Sequence, residues 1–268
     1  MMPDIKTSLD RLHAALSICR EPAIAVSGGV DSMTLAVIAA RYLAGQPVVA
    51  IHAVSPAVPA AATERVHAYA EREDWNLKVI DAGEFADAKY RRNPANRCFF
   101  CKTNLYGTMA AVHEGMLLSG TNTDDLGDWR PGLKAAADHG VRHPYVEAGI
   151  DKAGVRLLAR GLSLDDLAEL PSAPCLSSRV ETGIAIDPMA LSVIDRVETL
   201  VRDAMAPETV RCRQRHSGFV IEMDEASLAL LREPPAASLR AEIEMLCGGP
   251  VGLTAYRMGS AFLRPAVA

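Results

Sequence analysis

Aromatic side chains are scarce in this chain: Phe, Trp and Tyr make up only 5% of its 268 residues. Ala-rich stretches supply much of the apolar content instead. With 49% hydrophobic and 23% charged residues, the composition is that of an ordinary globular protein, long enough for one large or two modest cores. No run of Lys and Arg occurs and the formal net charge is −5, so no broad nucleic-acid footprint is visible. No window approaches the roughly 18 consecutive apolar residues that a membrane-crossing helix needs. The first sixteen residues carry polar and acidic side chains where a signal peptide would have an uninterrupted apolar core. The expectation is a cytoplasmic protein without membrane contact. Internal repeats and low-complexity tracts are absent. Six cysteines in a reducing compartment stay largely as thiols, which favours metal or catalytic use over a disulfide framework.

What is present is an alternation of strand-like and helix-like segments. Leu9, Leu12, Ala15 and Leu16 recur at helical spacing. The run Ala23–Val26 after Pro22 reads as a buried strand, and a helical pattern runs from Asp31 to Leu43. A second strand over 48–54, a helix over 63–72, a strand near 77–80 and a fourth strand over 116–119 follow. Strands alternating with helices predict a parallel sheet covered on both faces. From about Pro171 the rhythm changes. A Pro- and Ser-containing loop leads to a helix over 188–205, strands over 210–213 and 219–223, two short helical stretches and a last strand over 252–256. The expected fold class is therefore α/β, with a parallel-sheet domain over 1–170 and a smaller α+β domain over 171–268.

Between the first strand and the next helix lies Ser27-Gly28-Gly29-Val30-Asp31-Ser32. Glycines there allow a tight turn that aims backbone N–H groups at an anion, and the helix N-terminus adds partial positive charge. The hydroxyls of Ser27 and Ser32 can donate further bonds. Asp31 suits such a nest if Mg²⁺ bridges it to phosphates; alternatively it is an ordinary helix N-cap. No Gly-Lys-Ser/Thr follows, so the loop is not a Walker A motif. It resembles the SGGxDS PP-loop of the N-type ATP pyrophosphatases, an adenine nucleotide alpha hydrolase-like fold. That resemblance implies that ATP is cleaved at the α-phosphate while the loop holds the β- and γ-phosphates.

Three further segments narrow the resemblance: the polar loop Gly120–Gly132 after the fourth strand, Asn93–Lys102 with Cys98 and Cys101, and Ala173–Arg179 with Cys175. Ligands of open α/β sheets bind at the carboxyl edge of the strands, so Thr121, Asn122 and Asp125 are placed near the nucleotide. With the PP-loop, and with Pro144-Tyr145 and Glu147–Lys152 also fitting, these segments resemble the ATP-dependent sacrificial sulfur transferases of the LarE family over most of the chain. The resemblance implies adenylation of a carboxylate on a pyridinium biscarboxylate mononucleotide, then replacement of the activated oxygen by sulfur, in nickel-pincer nucleotide biosynthesis. In one branch of that family a cysteine matching Cys175 gives up its own sulfur. In another, a trio matching Cys98, Cys101 and Cys175 holds a 4Fe-4S cluster, with one iron open for an external sulfide. Zinc, a redox pair or buried thiols also suit a Cys-x-x-Cys. Cys19, Cys212 and Cys247 sit without evident partners and read as core residues.

In the second domain, Arg211 and Arg213 occupy alternate positions of a strand and share a face. They form either a bidentate phosphate clamp or a solvated strand face; by resemblance they bind the substrate phosphate. Ser178 and Arg179 are catalytic candidates beside Cys175. Glu198 is either a contact to substrate or metal or a helix-surface glutamate. No histidine pair has metal-ligand spacing. The expected partners are a small mononucleotide and a sulfide source, with a homo-oligomer as the expected assembly. A PP-loop tRNA thiolase and a non-catalytic nucleotide-binding protein are the rival readings. The absence of basic clusters argues against the first, and the intact loop and cysteine trio against the second.

Overall fold

The computed structural model describes residues 5–43, 45, 47–127, 130–172 and 174–262, so Asp128, Trp129 and Ala173 of the motif segments lie outside the described residues. In chain order the elements are α1 (Ile5–Ser17), β1 (Ala23–Ala25), α2 (Val30–Tyr42), β2 (Val49–Ala53), α3 (Ala60–Arg72), β3 (Asn76–Ile80), α4 (Ala88–Arg91), α5 (Arg97–Val112), β4 (Leu117–Ser119), α6 (Pro131–Asp138), α7 (Pro144–Glu147), α8 (Lys152–Gly161), α9 (Asp165–Ala168), α10 (Pro188–Met205), β5 (Val210–Arg215), β6 (Gly218–Met223), α11 (Glu225–Arg232), α12 (Ala237–Cys247) and β7 (Gly252–Ala255). They divide into a first unit, the described residues of Met1–Glu84 with Cys98–Ala173, and a second, those of Phe85–Arg97 with Pro174–Ala268. No described helix is long and apolar enough to cross a membrane.

The first unit is built on a four-stranded sheet in the order β3-β2-β1-β4, every pair parallel. Successive side chains of a strand face opposite ways, and the register uses this on both faces. Ile24, Ala50 and Leu118 pair across three strands and join α1, α2, α8 and α9 through Leu12, Leu16, Leu35, Ile38, Val155, Leu158 and Leu167. Ala23, Val49, Ile51 and Leu117 point the other way, against Leu105, Tyr106 and Met109 of α5 and Ala136 of α6. Both faces being dry explains why these strands read as short apolar runs without alternation. The α/β expectation holds here, with element ends shifted by one to three residues.

The second unit carries a three-stranded sheet, β5-β6-β7, antiparallel at the first pair and parallel at the second. Helix α10 starts where the sequence placed it, with Pro188 at its first turn and the Asp187 side chain accepting from the Met189 N–H. Its buried positions are Ala190, Leu191, Ile194, Val197, Glu198 and Val201, one helical stripe interrupted by a carboxylate. The segment Phe85–Arg97, which the sequence reading included in 1–170, packs with this unit. Asn93 donates from Nδ2 to the Glu181 carbonyl (2.8 Å) and accepts at its own carbonyl from Gly183 N–H (3.0 Å), while Ile186 N–H reaches the Arg91 carbonyl (2.9 Å). These bonds, one from a side chain and two between backbones, join segments far apart in the chain, which no local pattern reveals.

Ile24 is fully buried on the central strand β1. Ile24→Ala should destabilise the chain by about 2–5 kcal/mol through the cavity it leaves, read as a lowered urea midpoint. A midpoint within error of the parent would remove β1 from the core.

Candidate functional site

The turn between β1 and α2 is open toward an anion. Gly28 sits at φ 76°, and a Cβ there would stand 2.6 Å from the Ala62 carbonyl oxygen, so only glycine fits. Ser32 Oγ accepts from Ser27 N–H (3.0 Å), lies 3.1 Å from Ser27 Oγ, and donates to the Gly29 carbonyl (3.3 Å). The two serines thus brace the loop from inside. No described atom accepts from the N–H groups of Gly28, Gly29, Val30 or Asp31. Four N–H groups without a described acceptor, at and just before the start of a 13-residue helix, suit an anion. Phosphate is such an anion.

Asp31 is no N-cap. Gly29 holds that position and α2 has no side-chain cap. The Asp31 carboxylate instead pairs with the Lys152 ammonium and accepts from Asn122 Nδ2 (3.2 Å), and its carbonyl accepts from Tyr145 Oη (3.2 Å). Asn122 is itself fixed: its N–H reaches Asp125 Oδ2 (3.1 Å) and its Oδ1 accepts from Asp124 N–H (3.1 Å). Asp124 in turn accepts from Lys152 N–H (3.2 Å). Thr121 Oγ1 lies 3.0 Å from Ser119 Oγ, and Asp125 pairs with Arg130 (2.8 Å). Gly120 brings the end of β4 onto α2, since a Cβ there would lie 2.7 Å from Ser32 N. The structure therefore gathers Asp31, Thr121, Asn122 and Asp125 at the carboxyl edge of the sheet. It adds Lys152, the last residue of the Glu147–Lys152 segment. A carboxylate half-exposed beside a phosphate cradle suits Mg²⁺, which takes one or two carboxylates plus phosphate oxygens.

All six cysteines are thiols. Cys98 and Cys101 lie in the first turn of α5, three positions apart on one face and both half-buried. That turn adjoins the end of the polar loop: a Cβ on Gly132 would sit 3.7 Å from the Cys98 carbonyl oxygen. Two soft thiolates so placed suit adjacent ligand positions of an iron–sulfur cluster or of zinc. Cys175 belongs to the second unit, and among the described residues no group of three or more His, Cys, Asp or Glu side chains converges on a metal position. Cys212 and Cys247, read as partnerless, hydrogen-bond one another; that bond and burial push the Cys212 thiol up, while the same bond lowers Cys247.

Cys175 is the exposed cysteine of the six. Its loop is held from beneath. Arg179, 1% exposed, donates from Nη1 to the carbonyls of Pro174 and Cys175 and to Ser178 Oγ (3.0 Å). The other side of the same guanidinium grips Glu198 in a two-point pair, Nε to Oε1 and Nη2 to Oε2, both 2.9 Å. Glu198 is fully buried and also accepts from Arg202 Nη2 (2.6 Å) and Cys212 N–H (3.0 Å). Burial alone would raise its pKa; the bonds and charge of Arg179, with the charges of Arg202 and Arg211, outweigh this and hold the carboxyl below its ordinary value. The helix-surface reading of Glu198 is overturned. Ile194 and Leu191 precede it by one and two turns, and that spacing was the available signal.

Arg211 and Arg213 are not a solvated face either. Arg213, 3% exposed, donates to Glu222 (2.9 Å) and to the Ser178 carbonyl (3.0 Å). Glu222 also takes Arg215 (2.7 Å) and the Ser260 hydroxyl. The charge of Arg213 is thus already met, and its contact with Ser178 supports the Cys175 loop. Arg211 is half-buried, and burial followed by the nearby Arg179 charge lowers its pKa. Three arginines, Arg179, Arg202 and Arg211, lie around the Glu198 carboxylate, and Asp195 also acts on Arg179.

No family model matches the chain. The uncharacterized protein slr1717 of Synechocystis is 35% identical over 223 residues, which is 82% of this chain and 82% of that one. The uncharacterized protein MJ0830 of Methanocaldococcus jannaschii is 26% identical over 214 residues, 78% and 80% of the two chains. A protein of Lactiplantibacillus plantarum named pyridinium-3,5-bisthiocarboxylic acid mononucleotide synthase is 28% identical over 231 residues, 85% and 83% of the two chains.

Replacing Glu198 with Gln would leave the buried Arg179 guanidinium without its counter-charge. The expected cost at pH 7 is about 3–5 kcal/mol. Because the folded-state pKa is depressed, the stability due to Glu198 is present above the unfolded carboxyl value, roughly 4.3, and is lost as pH falls through the folded value. Urea unfolding at pH 7 and at pH 3.5 should show the parent–variant gap shrinking in acid. An equal gap at both pH values would dissociate Glu198 from that pair.

Proposed function

We propose an ATP-dependent sulfur transferase on the premise that the chain belongs to the family of the Synechocystis protein slr1717. The likeness to the Lactiplantibacillus synthase supports placing it with the LarE sulfur transferases. The substrate in this reading is a pyridinium-3,5-biscarboxylate mononucleotide, and the outcome is replacement of a carboxylate oxygen by sulfur. ATP supplies the adenylyl group that turns that oxygen into a leaving group, with AMP and pyrophosphate as products.

The residues divide the work. The N–H groups of Gly28 to Asp31 take the negative charge that grows on the departing pyrophosphate, and being fixed in advance they need no reorganisation. Ser27 and Ser32 hold that loop in shape. Lys152 supplies a mobile positive charge beside it, while Asp31, steadied by Asn122, holds Lys152 or shares Mg²⁺ with the phosphates. Thr121 and Asp125 shape the polar edge. In the second unit, Arg179, anchored by Glu198, and Ser178 fix the backbone of Cys175. Arg211 offers charge to the phosphate of the mononucleotide, and Arg213 supports the loop beside it. The observation that carries the sulfur half is the contrast between an exposed Cys175 thiol and the fully buried ion pair that fixes its backbone. A mobile surface thiol would need no such anchor.

Cys98, Cys101 and Cys175 act as one set in this proposal, the thiolates that hold a 4Fe-4S cluster. Such a cluster supplies an open iron at which external sulfide is presented. Each single Ala variant should lose both bound iron and sulfur transfer while pyrophosphate release persists, because the phosphate cradle is untouched. The assays are iron and sulfide content after anaerobic reconstitution, pyrophosphate release, and intact mass after turnover. If reconstituted protein holds no iron and Cys98→Ala transfers sulfur normally, the cluster is wrong. Loss of one H₂S from the Cys175 side chain per chain would then identify that cysteine as the sulfur source.

A further inference from the structure

The phosphate cradle is braced from outside as well as by its own serines. Two carbonyl oxygens of the β1–α2 turn are gripped from outside, both by groups of the neighbouring β2–α3 unit. His52 Nδ1 lies 2.9 Å from the Val26 carbonyl, and Arg65 Nη1 donates to the Gly28 carbonyl at 2.9 Å. A carbonyl only accepts, so Nδ1 carries the ring proton. Nε2 then accepts from the Thr63 hydroxyl, 3.0 Å away on the first turn of α3. Burial, the largest effect on His52, pushes its pKa down and favours the neutral ring. Ala62, on the same turn, abuts Gly28 closely enough to exclude any Cβ.

The consequence follows from peptide planarity. In a trans peptide the C=O and the next N–H point in opposite directions. Fixing the Val26 carbonyl therefore aims the Ser27 N–H the other way, and it is found on Ser32 Oγ inside the turn. Fixing the Gly28 carbonyl aims the Gly29 N–H likewise, away from α3 and into the cradle. Gly28 and Gly29 are adjacent glycines, the residue type with the most backbone freedom to lose. Without an external grip this peptide plane can rotate.

We infer that Arg65, which sets the Gly28–Gly29 peptide plane, and the His52–Thr63 pair, which sets the Val26–Ser27 plane, are positioning devices for binding the β- and γ-phosphates of a nucleoside triphosphate. It rests on the reading of the β1–α2 turn as the nucleotide phosphate site. Arg65 does not have to touch the phosphates for this. Its partner is the backbone, and its effect is confined to ligands whose phosphates reach the Gly29 N–H.

That confinement gives a test a general loss of structure would fail. MgATP and AMP binding are measured by calorimetry on the full chain, with the fold checked by circular dichroism. Arg65→Ala should weaken MgATP by about tenfold to a hundredfold, the loss expected for a charge-assisted bond, and leave AMP within about twofold. Arg65→Lys, still able to donate to the Gly28 carbonyl, should recover most of that loss. Thr63→Val should weaken MgATP by about twofold to tenfold, as for a neutral hydrogen bond. Glu71→Ala, at an exposed position of the same helix, should change neither. Unchanged MgATP affinity in Arg65→Ala, or an equal fall for MgATP and AMP, overturns the inference. A parent chain that binds neither nucleotide overturns it too. If the MgATP-to-AMP ratio moves as expected but no carboxylate acceptor yields pyrophosphate, the proposed reaction fails and the positioning role stands.

Discussion

One buried ion pair determines where the exposed thiol of this protein can be. Arg179 and Glu198 meet at two points, 1% and 0% exposed, and each also bonds to backbone. Arg179 holds the carbonyls of Pro174 and Cys175, and Glu198 takes the N–H of Cys212 on β5. Taking both charges out of water costs several kcal/mol that their attraction only partly offsets, so an apolar pair of the same volume would serve stability as well. What an apolar pair could not do is point hydrogen bonds at two successive carbonyls and so fix the loop that carries the exposed Cys175. Arg213 repeats the arrangement on a smaller scale, with Glu222 on one side and the Ser178 carbonyl on the other.

The first unit uses charge differently. Asp31 and Lys152 are paired but only half-buried, with side chains 26% and 34% exposed. In contact with solvent such a pair is weak and exchangeable. A cation can take over Asp31 and a phosphate can take over Lys152 at little net cost, which the buried pair of the second unit does not allow. The rigid element of this site is the backbone: four N–H groups without acceptors, held by glycine at Gly28, by the two serines within and by His52 and Arg65 from outside.

Much of this was legible beforehand. A dry parallel sheet produces uninterrupted apolar runs, and the turn between a strand and a helix shows itself through its glycines. The strands β1, β2 and β4 and the glycine turn after β1 are therefore readable as they stand. The helix-surface alternative for Glu198 rests on residue type alone, although Leu191, Ile194, Val197 and Val201 set it in the middle of a buried stripe. Asp31 was offered as a possible cap because aspartate so often is one; the cap position is Gly29, and Asp31 has partners ninety-one and one hundred and twenty-one positions away. Lys152 had no role because its relation to Asp31 exists only in three dimensions. Cys212 and Cys247, on β5 and at the end of α12, were called partnerless for the same reason.

The sequence by itself determined what depends on neighbours a few positions apart: the α/β rhythm, the glycine turn between β1 and α2, the shared face of Cys98 and Cys101, and the presence of a third cysteine in a Pro- and Ser-containing loop. Only the tertiary structure decided what depends on distant segments meeting. Phe85–Arg97 packs with the second unit, the second-unit arginines are anchored by carboxylates, and the phosphate turn is gripped by His52 and Arg65. The physical reason is that the burial of a charge and the choice of its counter-charge are set by the whole fold. Hydrophobic periodicity reports which face of an element is dry, but not which polar group another element delivers to that face.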